Sequence, residues 1–303
     1  MKQLYKIERA DAFSWLRSAR ANSVHGVVTD PPYGLLEYMP EELERRRNGK
    51  GLWRLPRTHN GLTRQPSPRF TVLTPYDHEL IRAFFLLLAG ELHRVLVPGA
   101  HIFVATNPLV SHLVYEGFMA KGFEKRGEVV RLVSTLRGGD RPKNAQSIFP
   151  DVSVIPRSGW EPWGLFRKPL EGRVADNLEK WKTGGLKRLN QAQPFKDVIW
   201  SSPARGEERS IAAHPSLKPQ QFIRQLVEAV LPLGKGVILD PFMGSGSTIA
   251  AAQAVGVRSI GVEVNSQYFR LAKKAIPRLA ALEVSPPADL AGVSRRQRRP
   301  PVE

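Results

Sequence analysis

The sequence predicts an α/β fold built on a mainly parallel sheet, with an inserted segment in its second half. Two patterns carry this. Short apolar runs alternate with stretches of helical periodicity. Two of those runs stop abruptly, one at Asp30-Pro31-Pro32-Tyr33-Gly34 and one at Asp240-Pro241-Phe242-Met243-Gly244. The insert is read from residues 137–205, where periodicity fades and Trp160, Trp163, Trp181 and Trp200 gather among basic side chains.

The 303 residues fit one large domain or two modest ones. With 42% apolar and 24% charged residues, a real core is expected and wholesale disorder is excluded. The net charge of +17 exceeds what solubility requires and fits a polyanionic partner. The absence of Cys excludes disulfides, zinc–thiolate sites and thiol nucleophiles, and no metal site is expected. No apolar run reaches 18 residues, and Met1 to Lys6 is no secretion signal. A soluble, intracellular protein without membrane contact is the expectation.

Taken in order, Ala12 to Leu16 reads as a short helix and Gly26 to Thr29 as a buried strand, stopped by two prolines that cannot continue a ladder. Residues 45–70 carry eight basic side chains and no acid, punctuated by Gly and Pro, and read as a long mobile loop. A helix follows over 77–96, a turn at Pro98-Gly99, a strand over His101 to Ala105, a helix over 109–121 and a strand from Glu128 to Val133. After the insert come helix 218–231, strand 236–239, helix 246–255, strand 258–262 and helix 265–282. Residues 285–303 read as a disordered basic tail. The four insert tryptophans read as a small separate core.

Two sites carry chemistry. In the second half, a strand enters the turn Gly244-Ser245-Gly246 and then a helix, the α/β arrangement for a nucleotide-like ligand. Glu263 lies 19 residues past Gly244, the spacing of an acid that binds ribose hydroxyls. A nicotinamide enzyme and a methyl donor both fit this pattern, as does a tight packing turn. The position of a third fingerprint glycine holds Ile249. Asp240, at the strand end, disfavours a pyrophosphate and suits the cationic amino-acid part of S-adenosylmethionine. In the first half, two prolines hold the Asp30 side chain and the Pro31 carbonyl outward. Both are acceptors, so together they can bind the two hydrogens of an amino group. Tyr33 offers a ring on which a base can stack.

Asp30-Pro31-Pro32-Tyr33 resembles the catalytic motif of the DNA amino-methyltransferases, which methylate adenine N6 or cytosine N4. The segment from Asp240 to Thr248 resembles their S-adenosylmethionine motif. His214-Pro215-Ser216-Leu217-Lys218-Pro219 resembles the segment before it, Gly261-Val262-Glu263 the segment after it, and Ala10-Asp11-Ala12-Phe13 the N-terminal cofactor segment. The catalytic motif comes first, as in the beta group. The likeness spans residues 7–134 and 211–282.

The resemblance implies a Rossmann-like S-adenosylmethionine-dependent methyltransferase fold, α/β with a mainly parallel sheet and an inserted target recognition domain. It divides the chain into a catalytic half (1–136), the recognition domain (137–210), a cofactor half (211–284) and the tail (285–303). Asp30, Pro31, Pro32 and Tyr33 would form the catalytic turn. Phe242, Gly244, Ser245, Gly246 and Thr248 would line the cofactor pocket, with Asp240 and Pro241 near the methionine end. Glu263 would take the ribose hydroxyls, Asp11 would meet the adenine amino group with Phe13 beside it, Ser216 and Lys218 would close the methionine end, and Ala12 and Val264 count among the cofactor-binding residues. For Lys218 a merely solvated charge is the competing reading.

Double-stranded DNA is the implied partner. Arg45, Arg46, Arg47, Arg54 and Arg57 in the basic loop, and Arg137, Arg141 and Lys143 in the insert, are the candidate contacts. The target amine is inaccessible in a stacked duplex, so the base must be flipped out. Asp at the head of the tetrapeptide favours adenine N6, since the cytosine N4 enzymes more often carry Ser there. The resemblance leaves room for a homodimer and a cognate restriction enzyme, and implies a cytoplasmic, nucleoid-associated protein of prokaryote or phage type. An inactive DNA-binding protein, a nicotinamide dehydrogenase, and methylation of RNA or protein are the rival readings.

Overall fold

A computed structural model describes residues 2–33, 73–133, 142, 144–154, 156, 159–204, 206–214 and 216–284, with the backbone of 58–59 and 62–63. The strands are β1 (Tyr5–Glu8), β2 (Val24–Thr29), β3 (Thr58–His59), β4 (Leu62–Thr63), β5 (Leu96–Ala105), β6 (Glu124–Leu132), β7 (Trp160–Arg167), β8 (Val198–Trp200), β9 (Val237–Asp240) and β10 (Arg258–Val262). The helices are α1 (Ala12–Ser18), α2 (Pro75–Val95), α3 (Ser111–Ala120), α4 (Val174–Trp181), α5 (Glu207–Ile211), α6 (Gln220–Ala229), α7 (Ser247–Ala254) and α8 (Ser266–Ala280).

Eight strands form one sheet in the order β1-β10-β9-β2-β5-β7-β6-β8. From β1 to β5 every pairing is parallel, while β7 runs antiparallel to both β5 and β6. Among the described residues, β3 and β4 pair only with each other. The central strands are apolar almost throughout because both faces are covered. In β2 and β5, Val27, Ile102 and Val104 face the core under α2 and α3, while Val28, Phe103 and Ala105 face the core under α6. A third apolar cluster joins α7 to α8 through Ile249, Ala250, Ala272 and Ile276. Among the described residues no helix is long and apolar enough to cross a membrane.

Local signals set the helix starts. Asp11 caps α1 by accepting from the Ser14 amide at 2.9 Å. Thr74 and Asp77 form a reciprocal capping box on α2, whose first residue is Pro75. Asn265 caps α8 through the Gln267 and Tyr268 amides.

The expected elements outside the insert are present, with one local correction. Pro98-Gly99 is no turn between elements but part of a bulge within β5. The stretch from Leu96 to His101 stands opposite the much shorter stretch from Val24 to Gly26. Gly99 has φ +74, and its amide reaches the Lys168 and Pro169 carbonyls at 3.1 Å.

The larger correction concerns the insert. Residues 160–167 are a strand inside the main sheet, not part of a separate unit, so the boundaries at 137 and 210 do not separate two folds there. Trp163 is fully buried in the central core, Trp181 packs against the α2–α3 core, and Trp160 and Trp200 are exposed. The four tryptophans therefore share no core of their own. The strand escapes sequence reading because Pro162, Gly164 and two charged residues interrupt it. Ion pairs make those charges compatible with burial: Arg167 meets Glu124 at 2.6 Å, and Glu161 meets Arg131 at 3.0 Å. Residues 45–57, 60–61 and 64–70, most of 134–143 and the tail 285–303 lie outside the described residues, so the expected tail does too, and of the expected loop only the backbone of β3 and β4 is described.

Candidate active site

From β9 the chain moves outward to β10, whereas from β2 it moves the other way to β5. The boundary between β2 and β9 is thus the switch point of the sheet, where α/β folds open a crevice at the carboxyl ends of the strands. Asp30 follows β2 and Asp240 ends β9. Their strand ends are tied together: the Thr29 hydroxyl donates to Asp240 Oδ1 at 2.8 Å. A cleft of about 350 Å³, open to solvent, lies above them and is lined by both aspartates. The two motifs therefore open onto one cavity.

On the β9 side, Gly244 and Gly246 have φ +53 and +87, a region that side chains rarely enter. A Cβ on Gly246 would meet Ile276 Cγ1 at 2.5 Å, and one on Gly244 would meet the His214 ring at 3.1 Å. Glu263 pins this loop, its two oxygens accepting from the Gly244 amide at 3.0 Å and the Asn265 amide at 2.7 Å. Burial raises the Glu263 pKa against those bonds. Asp240 is only 4% exposed. Burial pushes its carboxyl up to about 7, opposed by hydrogen bonds from Thr29, the Phe242 amide and Thr248 and assisted by the charge of Asp30.

On the β2 side, Asp30 belongs to a partly buried charge cluster. Lys218 Nζ lies 3.0 Å from Asp30 Oδ2 and 3.0 Å from Glu161 Oε1. Glu161 also accepts from Trp163 Nε1 at 2.9 Å and from Arg131 Nη1 at 3.0 Å. Arg131 in turn donates to the Ser202 carbonyl at 3.1 Å. Burial raises the Asp30 pKa, Glu161 adds to it, and Lys218 and Arg131 oppose it. Burial would likewise raise Glu161, but Lys218, Arg131 and Trp163 outweigh it and hold it at about 2. Burial disfavours the Lys218 charge, yet Asp30 and Glu161 leave its pKa raised. Lys218 is therefore a paired, largely shielded cation and not a solvated one, and its partners are Asp30 and Glu161. His214, beside the cleft, is pushed down to about 4 by burial and by Lys218.

Of the other residues singled out from the sequence, Ser216, Phe242, Gly244, Ser245 and Thr248 line the cleft. Gly246 caps α7 behind it, and Pro241 is buried. Phe13 connects to Phe242 through Phe84, with ring centroids 5.5 Å and 6.0 Å apart. Asp11 is engaged as the α1 cap, Ala12 is buried in α1, and Val264 is exposed. Pro31 is buried, Pro32 is half-buried, and Tyr33 packs against the α2–α3 core at 6.2 Å from Phe85. Arg45, Arg46, Arg47, Arg54, Arg57, Arg137, Arg141 and Lys143 lie outside the described residues. Among the described residues no cluster of His, Asp and Glu could hold a metal ion.

Sequence reasoning missed Glu161, Arg131, Trp163 and Phe84. An acid between two tryptophans, in Trp160-Glu161-Pro162-Trp163, was the available signal for the first and third. Arg131 and Phe84 sit in ordinary strand and helix patterns and carried none.

Residues 154–274 match a DNA methylase family of N6 and N4 type. Among curated relatives, Type II methyltransferase M2.DpnII of Streptococcus pneumoniae is 34% identical over 91 residues. That alignment spans 30% of this chain and about a third (34%) of the relative, and a second Type II relative matches over the same shares. Type II methyltransferase M.HindIII of Haemophilus influenzae is 24% identical over 299 residues, covering 88% of this chain and 93% of its own. The fold is shared with TTHA0409 of Thermus thermophilus, solved in complex with S-adenosyl-L-methionine. Its TM-score is 0.55 at 21% identity, over 91% of this chain and 96% of that one. With the Asp30 turn preceding the Gly244 loop and both meeting at the switch point of a mostly parallel sheet, the chain is similar to the DNA amino-methyltransferases in the order and placement of these segments, and residues 154–274 carry the match to the DNA methylase family.

Proposed function

We propose that this protein transfers a methyl group from S-adenosylmethionine to the exocyclic amine of a base flipped out of double-stranded DNA, with adenine N6 as the preferred acceptor. The observation that carries the reading is the single cleft shared by Asp30 and Asp240 across the β2–β9 boundary.

The cleft residues fit the cofactor. Gly244 leaves a cradle against His214 that a Cβ would fill. Asp240 is a buried acid whose carboxyl burial has raised, so the site gains by accepting a positive group. Asp240, Ser216 and Thr248 would hold the amino-acid end, Glu263 the ribose hydroxyls, and Phe242 with Phe13 the adenine. When bound, S-adenosylmethionine supplies an electrophilic methyl group on a sulfonium centre.

Asp30 and the Pro31 carbonyl do the rest by position. An exocyclic amine is a poor nucleophile because its lone pair is delocalised into the ring. Two acceptors aimed at its hydrogens favour a pyramidal nitrogen with a localised lone pair. Lys218 engages Asp30 Oδ2, and the proposed acceptor for the amine is Oδ1. Tyr33 offers a face to the extruded base. Adenine N6 is preferred on the strength of Asp30 leading the tetrapeptide.

Transfer of labelled methyl groups to DNA of mixed sequence, followed by digestion to nucleosides and mass measurement, tests the proposal. N6-methyladenine is expected, and Asp30→Ala abolishes it. N4-methylcytosine alone would overturn the adenine assignment. An inactive wild-type protein that still binds DNA would overturn the enzymatic reading.

A further inference from the structure

Asp30 sits within a quartet of alternating charges drawn from four parts of the fold. Asp30 follows β2, Lys218 precedes α6, Glu161 lies on β7 and Arg131 on β6. Lys218 bridges the two carboxylates at 3.0 Å each, and Glu161 bridges the two cations. Among the described residues, the remaining charged group at the Asp30 end of the cleft is Asp240, while neutral His214 stands near Lys218.

The quartet is built for rigidity. The Arg131 and Lys218 side chains are 6% and 15% exposed, Glu161 is 22% exposed, and each is fixed by more than one bond. Glu161 is held by Trp163 Nε1 as well as by Arg131. The Trp163 ring lies 5.8 Å from Lys218 Nζ, and the Phe222 ring lies 5.3 Å from the Arg131 guanidinium. Buried ion pairs rarely stabilise a fold more than apolar residues of similar volume would. A four-membered one ending on the catalytic turn is better explained by what it does to that turn.

We propose that Glu161, clamped by Arg131 and Trp163, is a positioning residue that holds Lys218 against Asp30 Oδ2 and so sets both the orientation and the proton affinity of the Asp30 carboxylate. Its action on orientation is mechanical: without Glu161, Lys218 has one anchor instead of two. Its action on charge is electrostatic. Two cations beside a lone Asp30 would make its carboxylate a weak acceptor, and Glu161 cancels one of them. The inference rests on reading Asp30 as the group that meets the amine, but its first test does not.

That test is the titration of the Asp30 carboxyl in the free protein, followed by carbon-13 NMR and assigned with Asp30→Asn. Glu161→Gln keeps the side-chain shape and an acceptor for Trp163 while removing the charge. The Asp30 midpoint is expected to fall by about one pH unit in Glu161→Gln and to rise in Lys218→Met. An unchanged midpoint in folded Glu161→Gln overturns the proposal. Should that variant not fold, Glu161→Asp keeps the charge on a shorter arm. It is expected to lower kcat by about fivefold or more, with the cofactor KM unchanged and the acid limb of the pH profile in place. A wild-type kcat in Glu161→Asp overturns the positioning role. A wild-type protein that methylates no DNA would sink the function proposed above, and the NMR titration would still decide this inference.

Discussion

The Thr29 hydroxyl donates to Asp240 Oδ1 at 2.8 Å and so fastens the last residue of β2 to the last residue of β9. Parallel neighbours in this sheet are already joined by their ladder, in which Gly26 and Val27 stand beside Ile238 and Leu239. The side-chain bond extends that union past the point where the ladder ends and the Asp30 and Asp240 turns begin. It also stabilises the charged form of Asp240.

Replacing Thr29 with Val keeps the shape and removes the donor. The Asp240 pKa then rises further, so less carboxylate is present at pH 7 to meet a cationic ligand. S-adenosylmethionine affinity, measured by calorimetry, should fall by about tenfold at pH 7 and recover most of that loss at about pH 8.5. A loss of equal size at both pH values would mean that the bond acts through geometry alone.

Gly246 is required for two separate reasons, its φ of +87 and its approach to α8. Gly246→Ala should destabilise the fold by more than about 2 kcal/mol in urea unfolding, the left-handed backbone accounting for about 1–2 kcal/mol of that. Adding Ile276→Ala frees the space that the new methyl group needs. The double variant should therefore lose less than the sum of the singles, leaving the backbone strain. Full additivity would show that Ile276 moves aside at no cost.

The parts of this fold that obey local rules were legible in the sequence. β2, β5 and β9 read as apolar runs because both their faces are covered. α2 announced itself by helical periodicity over 77–96, though its start at the Thr74–Asp77 capping box was not read, and the two site loops by their prolines and glycines. β7 was not legible, because what makes Glu161 and Arg167 tolerable in a sheet is a partner far along the chain, Arg131 and Glu124 respectively. The role of Lys218 was hidden for the same reason. Its position in the sequence is compatible with an exposed charge, and only the folded arrangement sets it between Asp30 and Glu161. Asp240 lay between these cases: its place at a strand end was readable, while its raised pKa depends on burial that the sequence does not state.

That raised pKa makes Asp240 a residue whose cost to the fold depends on pH. Its carboxyl titrates near 7 in the folded protein, against an ordinary value of 3.8. Between those values the unfolded chain has released a proton that the folded chain still holds. Stability attributable to this group therefore declines as pH rises from 3.8 to 7 and stays low above it. Asp240→Asn removes the titration while keeping an oxygen to accept from Thr29 and the Phe242 amide. The variant should melt higher than the wild type at about pH 8 and show little difference at about pH 4.5. Its affinity for S-adenosylmethionine should be lost at both pH values, the usual exchange of stability against a strained functional group. The wild type should lose affinity for this cationic ligand as pH falls below about 7, approaching tenfold per unit because one proton competes for one carboxylate. Equal gains in melting temperature under the acidic and the alkaline condition would place the stabilising effect elsewhere than in the Asp240 charge.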